Sequence, residues 1–102
     1  FQPHRYSRTN FLMKEFAYSL SKPKINLLVI LKTYSAGEKI IKGSTSKDLY
    51  NKILKNNKNV KYLDNLSRLN EIIDPYTAKK NTIIFMGAGS ISNIAKKYYS
   101  SK

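Results

Sequence analysis

Hydrophobic residues in this chain change period along its length, and that alternation restricts the fold more than any other feature. Residues 25–31 form an aliphatic run of strand length with little polar alternation, as a strand buried on both faces requires. Residues 60–63 and 82–86 are two further short β-prone runs. Around them lie apolar stripes at helical spacing. Leu12, Met13, Phe16, Ala17 and Leu20 form the first, predicted to start after the capping candidates Ser7 and Thr9 and to end before Pro23. Leu49, Tyr50, Ile53 and Leu54 form the second, opened by Thr45 and Asp48 at capping-box spacing. Leu66, Leu69, Ile72 and Ile73 give a helix ending near Pro75, and Ile91, Ile94, Ala95 and Tyr98 give the last. Strands alternating with helices imply an α/β fold: a parallel sheet covered by helices, with right-handed crossovers. Phe1-Gln2-Pro3 would be the end of a preceding strand. The sequence opens there, inside an apparent motif, and is expected to be a piece of a longer chain.

A length of 102 residues suits one domain. No apolar run approaches the ~20 residues of a membrane-spanning helix, so no membrane partner is expected. Without cysteine there is no disulfide framework, no thiolate nucleophile and no Cys-based zinc site. The formal net charge of +13 is the feature that would suit a polyanion. Its make-up argues otherwise. Only Arg5, Arg8 and Arg68 are arginines, the lysines are scattered over every segment, and the richness in Lys, Asn, Ile and Tyr is what A/T-rich codons produce. A basic nucleic-acid-binding α/β module is therefore the alternative reading, and no specific nucleic acid is expected.

Ligands of parallel α/β sheets bind outside the carboxyl ends of the strands. Three loops qualify: residues 3–9, residues 33–38 and residues 87–90. They hold the only His, two of the three Arg and three of the four Gly. Arg5 and Arg8 lie three apart at a helix entrance, where two guanidinium forks and the helix N-terminus could meet one carboxylate or phosphate. The same spacing suits two solvated arginines. His4 could orient a substrate or move a proton, or simply hold its loop. Gly87-Ala88-Gly89 starts like a dinucleotide fingerprint, but Ser92 stands at the third glycine position; a tight strand-to-helix turn explains it equally. Glu38 is the only acid of the three loops, too few for a paired-carboxylate mechanism or a magnesium cage. No catalytic group and no metal ligand is assigned, and no G-x-x-x-x-G-K-[ST] phosphate loop is present.

The run Phe1-Gln2-Pro3-His4-Arg5-Tyr6-Ser7-Arg8-Thr9 resembles a signature of the Mur ligase family, in the branch that joins L-alanine to UDP-N-acetylmuramate. Tyr34-Ser35-Ala36-Gly37-Glu38 is similar to that branch's Tyr-x-Ala-Gly-Glu element, and Met86-Gly87-Ala88-Gly89-Ser90-Ile91 to its Gly-Ala-Gly turn. The first run is the specific one, since sibling ligases differ there. The resemblance implies a three-layer Rossmann-like domain with a mostly parallel sheet, its first strand largely truncated, spanning residues 1–102 as the C-terminal domain of a cytoplasmic ligase of peptidoglycan synthesis. In that family an N-terminal domain holds the UDP-sugar, and a central domain holds ATP and Mg2+. ATP activates the sugar's lactyl carboxylate as an acyl phosphate, which the amine of L-alanine attacks. The C-terminal domain closes over the central one, helps bind the incoming amino acid and completes the ATP site.

The resemblance places Arg5 and Arg8 on the alanine carboxylate, with His4 orienting substrate beside them. It sets Tyr34, Ala36, Gly37, Glu38, Gly87 and Gly89 on the nucleotide side or the interdomain face. The fragment alone is not expected to turn over. Lys32 departs from the pattern, standing where many members carry an acid, which reverses the sign of any contact made there.

Overall fold

A computed structural model describes residues 1–22, 24–78 and 80–100. Its centre is the strand β1 (Leu28–Leu31), paired in parallel with β2 (Val60–Leu63) in the register Leu28↔Val60 to Leu31↔Leu63. The helices are α1 (Tyr6–Leu20), α2 (Ser46–Leu54), α3 (Leu69–Thr77), which follows a 3-10 turn at Leu66–Arg68, and α4 (Ile91–Ser100). Successive residues of a strand point to opposite faces, and β1 is apolar on both. Leu28 and Ile30 pack with Met13 and Leu20 of α1, Leu49 and Ile53 of α2, and Val60. Leu31, with Val29 packed alongside, joins Leu63, Leu69 and Ile73 of α3, and Ile91 and Tyr98 of α4. Two cores on opposite faces of one sheet make the three-layer α/β arrangement expected of residues 25–31.

The amino-terminal residues extend the sheet. Phe1 N donates to Val29 O at 2.7 Å, and Leu31 N to Phe1 O at 2.9 Å. Farther on, Tyr34 N donates to Pro3 O at 2.9 Å and Arg5 N to Tyr34 O at 2.8 Å. On the opposite side Gln2 N donates to Met86 O at 3.0 Å, and Gln2 and Gly87 form a parallel bridge. The spatial order is therefore β2, β1, residues 1–4, residues 86–87. Counting the terminal segments as strands, this is the order 3-2-1-4, which reverses between the first and the fourth. Loops leaving strands on either side of such a reversal frame a crevice at the carboxyl edge.

Several sequence expectations are corrected. Only Leu28–Leu31 of residues 25–31 is strand. Leu28 N donates to Asn59 O, the residue before β2, so residues 25–27 have no β2 strand residue opposite them. Residues 82–86 carry no strand; their one ladder bond is that from Gln2 to Met86 O. Of the residues beside them, Gln2 donates to Met86 O, whereas Phe1 and Pro3 turn their bonds to the β1 side. Helix α1 begins at Tyr6, ahead of Ser7 and Thr9, because the 6% exposed Tyr6 ring is part of the buried interior. Neither Ser7 nor Thr9 caps it: Arg5 occupies the N-cap at φ 67°, and the Thr9 hydroxyl donates to Arg5 O at 2.8 Å. Helix α3 ends at Thr77, near Pro75 as expected, with Pro75 in its last turn. Pro23, the expected limit of α1, lies outside the described residues. The capping box of α2 forms as expected, with Asp48 N on Thr45 Oγ1 at 3.2 Å and Thr45 N on Asp48 Oδ2 at 3.0 Å.

Candidate functional site

The three loops meet at the carboxyl edge of the sheet. His4 and Tyr34 form a parallel bridge through their backbones, and their rings stack 5.5 Å apart, 11° from parallel. Arg8, one helical turn after His4, brings Nη1 to 3.4 Å from His4 Nδ1. An arginine always donates, so this contact uses the imidazole as acceptor at Nδ1, leaving Nε2 to carry the ring proton. Tyr34, 39% exposed, lies between His4 and the glycine turn. A Cβ on Gly89 would stand 2.6 Å from Tyr34 Cδ1, and φ of +82° at Gly89 is a conformation that other residues adopt only with strain. Gly87 approaches the first strand equally closely: a Cβ there would meet the Gln2 carbonyl oxygen at 2.6 Å. His4, Arg8, Tyr34, Gly87 and Gly89 thus form one continuous surface across the strand-order reversal.

Glu38 bonds to the start of α1, near the Arg5 charge. The turn at Ala36 (φ 52°) and Gly37 (φ 85°), closed by Glu38 N on Ser35 O at 3.1 Å, aims Glu38 at the start of α1. Its carboxylate accepts from Ser7 N at 3.1 Å and from Ser7 Oγ at 2.5 Å. The Ser7 hydroxyl, the Ser7 and Tyr6 backbone N–H groups and the nearby Arg5 charge hold the Glu38 carboxyl below the usual range. Glu38 therefore does the capping that Ser7 and Thr9 were expected to do. Among the described residues neither Arg5 nor Arg8 makes a salt bridge; the ion pair is Arg68–Glu71, at 2.8 Å on the exposed surface.

Two contributors escaped the sequence reading. Gln2, only 7% exposed, accepts from Ser90 Oγ at 3.2 Å and donates through Nε2 to Lys32 O at 3.4 Å, tying the glycine turn to the end of β1. Thr33 Oγ1 and Ser46 Oγ lie 2.7 Å apart, a buried hydroxyl pair that fixes the second loop to the first turn of α2. Pairing across 88 positions, as Gln2 and Ser90 do, leaves no local signal. Lys32 itself is exposed at the sheet's edge.

Mg2+ and ATP, implied by the resemblance, can be tested against this donor set. No three His, Asp or Glu side chains gather as metal ligands do among the described residues, and Glu38, the acid nearest the crevice, is already spent on Ser7. Among the described residues these side chains do not form a magnesium site. The arrangement offers a cationic and aromatic surface, Arg8 with His4 and Tyr34, beside exposed Gly89. Chemically it suits a small carboxylate or other anion. No helix among the described residues is long and apolar enough to cross a membrane.

No protein-family model matches the chain. Curated proteins do. The chain is 42% identical over 99 residues to a UDP-N-acetylmuramate–L-alanine ligase of Prochlorococcus marinus, covering 95% of this chain and 21% of that relative. It is 45% identical over 100 residues to the ligase of that name from Buchnera aphidicola of Acyrthosiphon pisum, covering 95% and 20%. With the corresponding protein of Brachyspira hyodysenteriae it shares 33% over 98 residues, covering 96% and 21%. The chain thus spans about a fifth of the length of the curated relatives it matches.

Proposed function

We propose that this chain, which belongs by sequence with one segment of the UDP-N-acetylmuramate–L-alanine ligases of the Mur ligase family, works as the C-terminal domain of such a ligase. In this reading residues 1–102 are a single domain that receives L-alanine and closes over a central domain holding ATP and Mg2+, while an N-terminal domain holds UDP-N-acetylmuramate. The observation that carries it is the convergence of Arg8, His4, Tyr34 and Gly89 at the strand-order reversal, within the segments that resemble the ligase signature.

Arg8 presents its fork to the alanine carboxylate, with Arg5 adding positive charge nearby; the exposed His4–Arg8 pair orients the amino acid so that its amine faces the activated carboxylate. Holding the amine in that position makes its attack effectively unimolecular, and closure of the domains excludes the water that would otherwise hydrolyse the activated acyl group. Tyr34, Gly87 and Gly89, with the Ala36-Gly37-Glu38 turn, shape the face toward the nucleotide and the central domain. ATP supplies the activation; it is held mainly by the central domain, and this C-terminal domain completes its site on closure. Reaction, substrates and a cytoplasmic setting all follow from kinship with the ligases, and an isolated chain has no means of turnover in this reading.

A graft tests the proposal. The chain replaces the matching fifth of the Prochlorococcus marinus ligase, and L-alanine-dependent phosphate release is measured. The wild-type graft should support ligation. Arg8→Ala in the graft should lower kcat/KM for L-alanine by about 30-fold or more, the ~2 kcal/mol at the low end for a lost charged hydrogen-bonded partner, with KM for ATP unchanged. A folded graft without ligation overturns the domain reading; unaltered kinetics on Arg8→Ala removes the carboxylate assignment.

A further inference from the structure

Arg8 is exposed, and a guanidinium on a long, freely turning stem has no fixed direction unless something holds it. Its side-chain hydrogen bond runs from Nη1 to His4 Nδ1, and among the described residues it makes no salt bridge. At 3.4 Å that bond is long, so a small rotation of the imidazole breaks it. The direction of the fork therefore depends on the plane of the His4 ring. Hydrogen bonds fix the His4 backbone on both sides, from Tyr34 N to Pro3 O at 2.9 Å and from Arg5 N to Tyr34 O at 2.8 Å. They leave the ring to turn about Cβ–Cγ, a torsion with broad wells. The Tyr34 ring, stacked 5.5 Å away and 11° from parallel, lies against it and sets its plane. Tyr34 is braced in turn. A Cβ on Gly89 would stand 2.6, 2.8 and 2.9 Å from Cδ1, Cγ and Cε1, adjacent ring atoms at nearly equal distances, so the glycine backs onto a face of the ring and not its edge.

We propose that Tyr34 is a positioning residue for the amino-acid substrate: acting through His4, it holds the Arg8 fork in the direction that receives a carboxylate. The substrate named here rests on the ligase reading, whereas the holding of the fork stands on these contacts alone. They run from Gly89 to Tyr34, His4 and Arg8, so that one ring from the second loop touches both of the others. A fork already held loses little freedom when a carboxylate arrives. Without the ring, the ordering of imidazole and guanidinium falls on the binding step and weakens it. The stack uses the π-face of the ring and not its hydroxyl, so phenylalanine meets the requirement and an aliphatic side chain does not. Tyr34 thereby acquires a task on the amino-acid side of the crevice, separate from its part in the face toward the nucleotide.

Two measurements test it. In this chain, NMR relaxation of arginine Nε reads the fork directly, and Arg68, held by Glu71, is an internal reference. The Arg8 order parameter should fall into the flexible range, below about 0.6, in Tyr34→Leu and equally in His4→Ala. Arg68 should not change, and Tyr34→Phe should restore Arg8. In the graft, Tyr34→Leu should raise KM for L-alanine about five-fold or more, as expected for side chains that must be ordered on binding. Its kcat and its KM for ATP should change by less than about two-fold, and Tyr34→Phe should recover the lost affinity. Adding Tyr34→Leu to His4→Ala should raise KM no further, the mark of a residue that acts through another. A graft without ligation counts against the ligase reading, and the Arg8 order parameter then decides the positioning role. Arg8 as ordered in Tyr34→Leu as in wild type overturns the proposal, as does a KM for ATP that rises in step with that for L-alanine. Should Tyr34→Leu not fold, an Arg8 that stays ordered in His4→Ala overturns it equally.

Discussion

Gly89 and Tyr34 show how single positions set the geometry of the crevice. Replacing Gly89 by Ala forces a side chain into a φ of +82° and drives the new methyl against the Tyr34 ring. The backbone cost alone is about 1–2 kcal/mol, and the ring must leave its stack on His4 to make room. Gly89→Ala should therefore lower stability by that amount or more. In a Tyr34→Ala background the steric part disappears and only the backbone part remains, so the double-mutant cycle should give a coupling energy clearly different from zero. Simple additivity in chemical denaturation would contradict the close approach. Glu38 makes a separate prediction about pH. Its carboxyl titrates below the usual range in the folded chain because Ser7 donates to it twice, with the Arg5 charge a smaller contribution. A depressed carboxyl stabilises the fold above its unfolded value of about 4.3 and loses that stabilisation as pH falls through the folded value. Melting temperatures of wild type and Glu38→Gln should thus differ at neutral pH and converge in acid. A gap that persists unchanged at low pH would remove the charged cap. The types of residue at this site were legible in the sequence, since His, Arg and Gly concentrate in loops that follow strand signals. Their pairings were not: Glu38 reaches Ser7 across 31 positions, and Gln2 reaches Ser90 across 88.

Among the secondary-structure elements, those with a local cause were read well and those that need a distant partner were not. Helix α2 carries its own start signal, the reciprocal Thr45 and Asp48 bonds, and an apolar stripe that ends in fully buried Leu49 and Ile53. It begins where the sequence places it. Strand β2 also coincides with its signal at Val60–Leu63. By contrast, residues 82–86 have strand composition but only the one bond from Gln2 to Met86 O, since strands are stabilised by their neighbours. Residues 25–27 fall outside β1 for the same reason. Helix α3 ends at Thr77, close to Pro75 as its signal indicates, with Leu69 and Ile73 anchored in the core. The capping box gives an element-scale prediction. Thr45→Ala removes the acceptor for Asp48 N and should cost about 1 kcal/mol of stability, whereas Thr45→Ser keeps the hydroxyl and should cost less than half of that. Equal losses for the two variants in urea titration would assign the effect to the Thr45 methyl group instead of the cap.

The whole molecule carries its charge unevenly balanced. With 19 basic and 6 acidic residues its formal charge is +13, and the ion pair among the described residues, Arg68–Glu71, is exposed. Exposed pairs of this kind contribute little. The Cα envelope measures 38 × 30 × 17 Å. At 0.01 M salt the screening length is about 30 Å, so cations on opposite sides of the molecule repel one another; at 0.1 M it falls to about 10 Å, and only neighbours do. Folding gathers these charges from an expanded chain into that envelope, so self-repulsion opposes the folded state most strongly at low salt. The Tm should rise with NaCl between about 0.01 and 0.2 M and then level off as the screening length drops below the spacing between charges. A variant carrying Lys47→Glu, Lys58→Glu and Lys96→Glu, all at exposed positions, tests the cause. Each replacement changes the charge by two, so the three lower +13 to +7. Its Tm should start higher at low salt and climb less steeply. Identical salt slopes for the two chains would mean that specific ion binding, and not general repulsion, sets the dependence. The same titration separates the ligase reading from the polyanion alternative: scattered lysines screened independently should give only weak, salt-labile binding to generic duplex DNA, whereas a built basic surface would keep its affinity at 0.2 M salt.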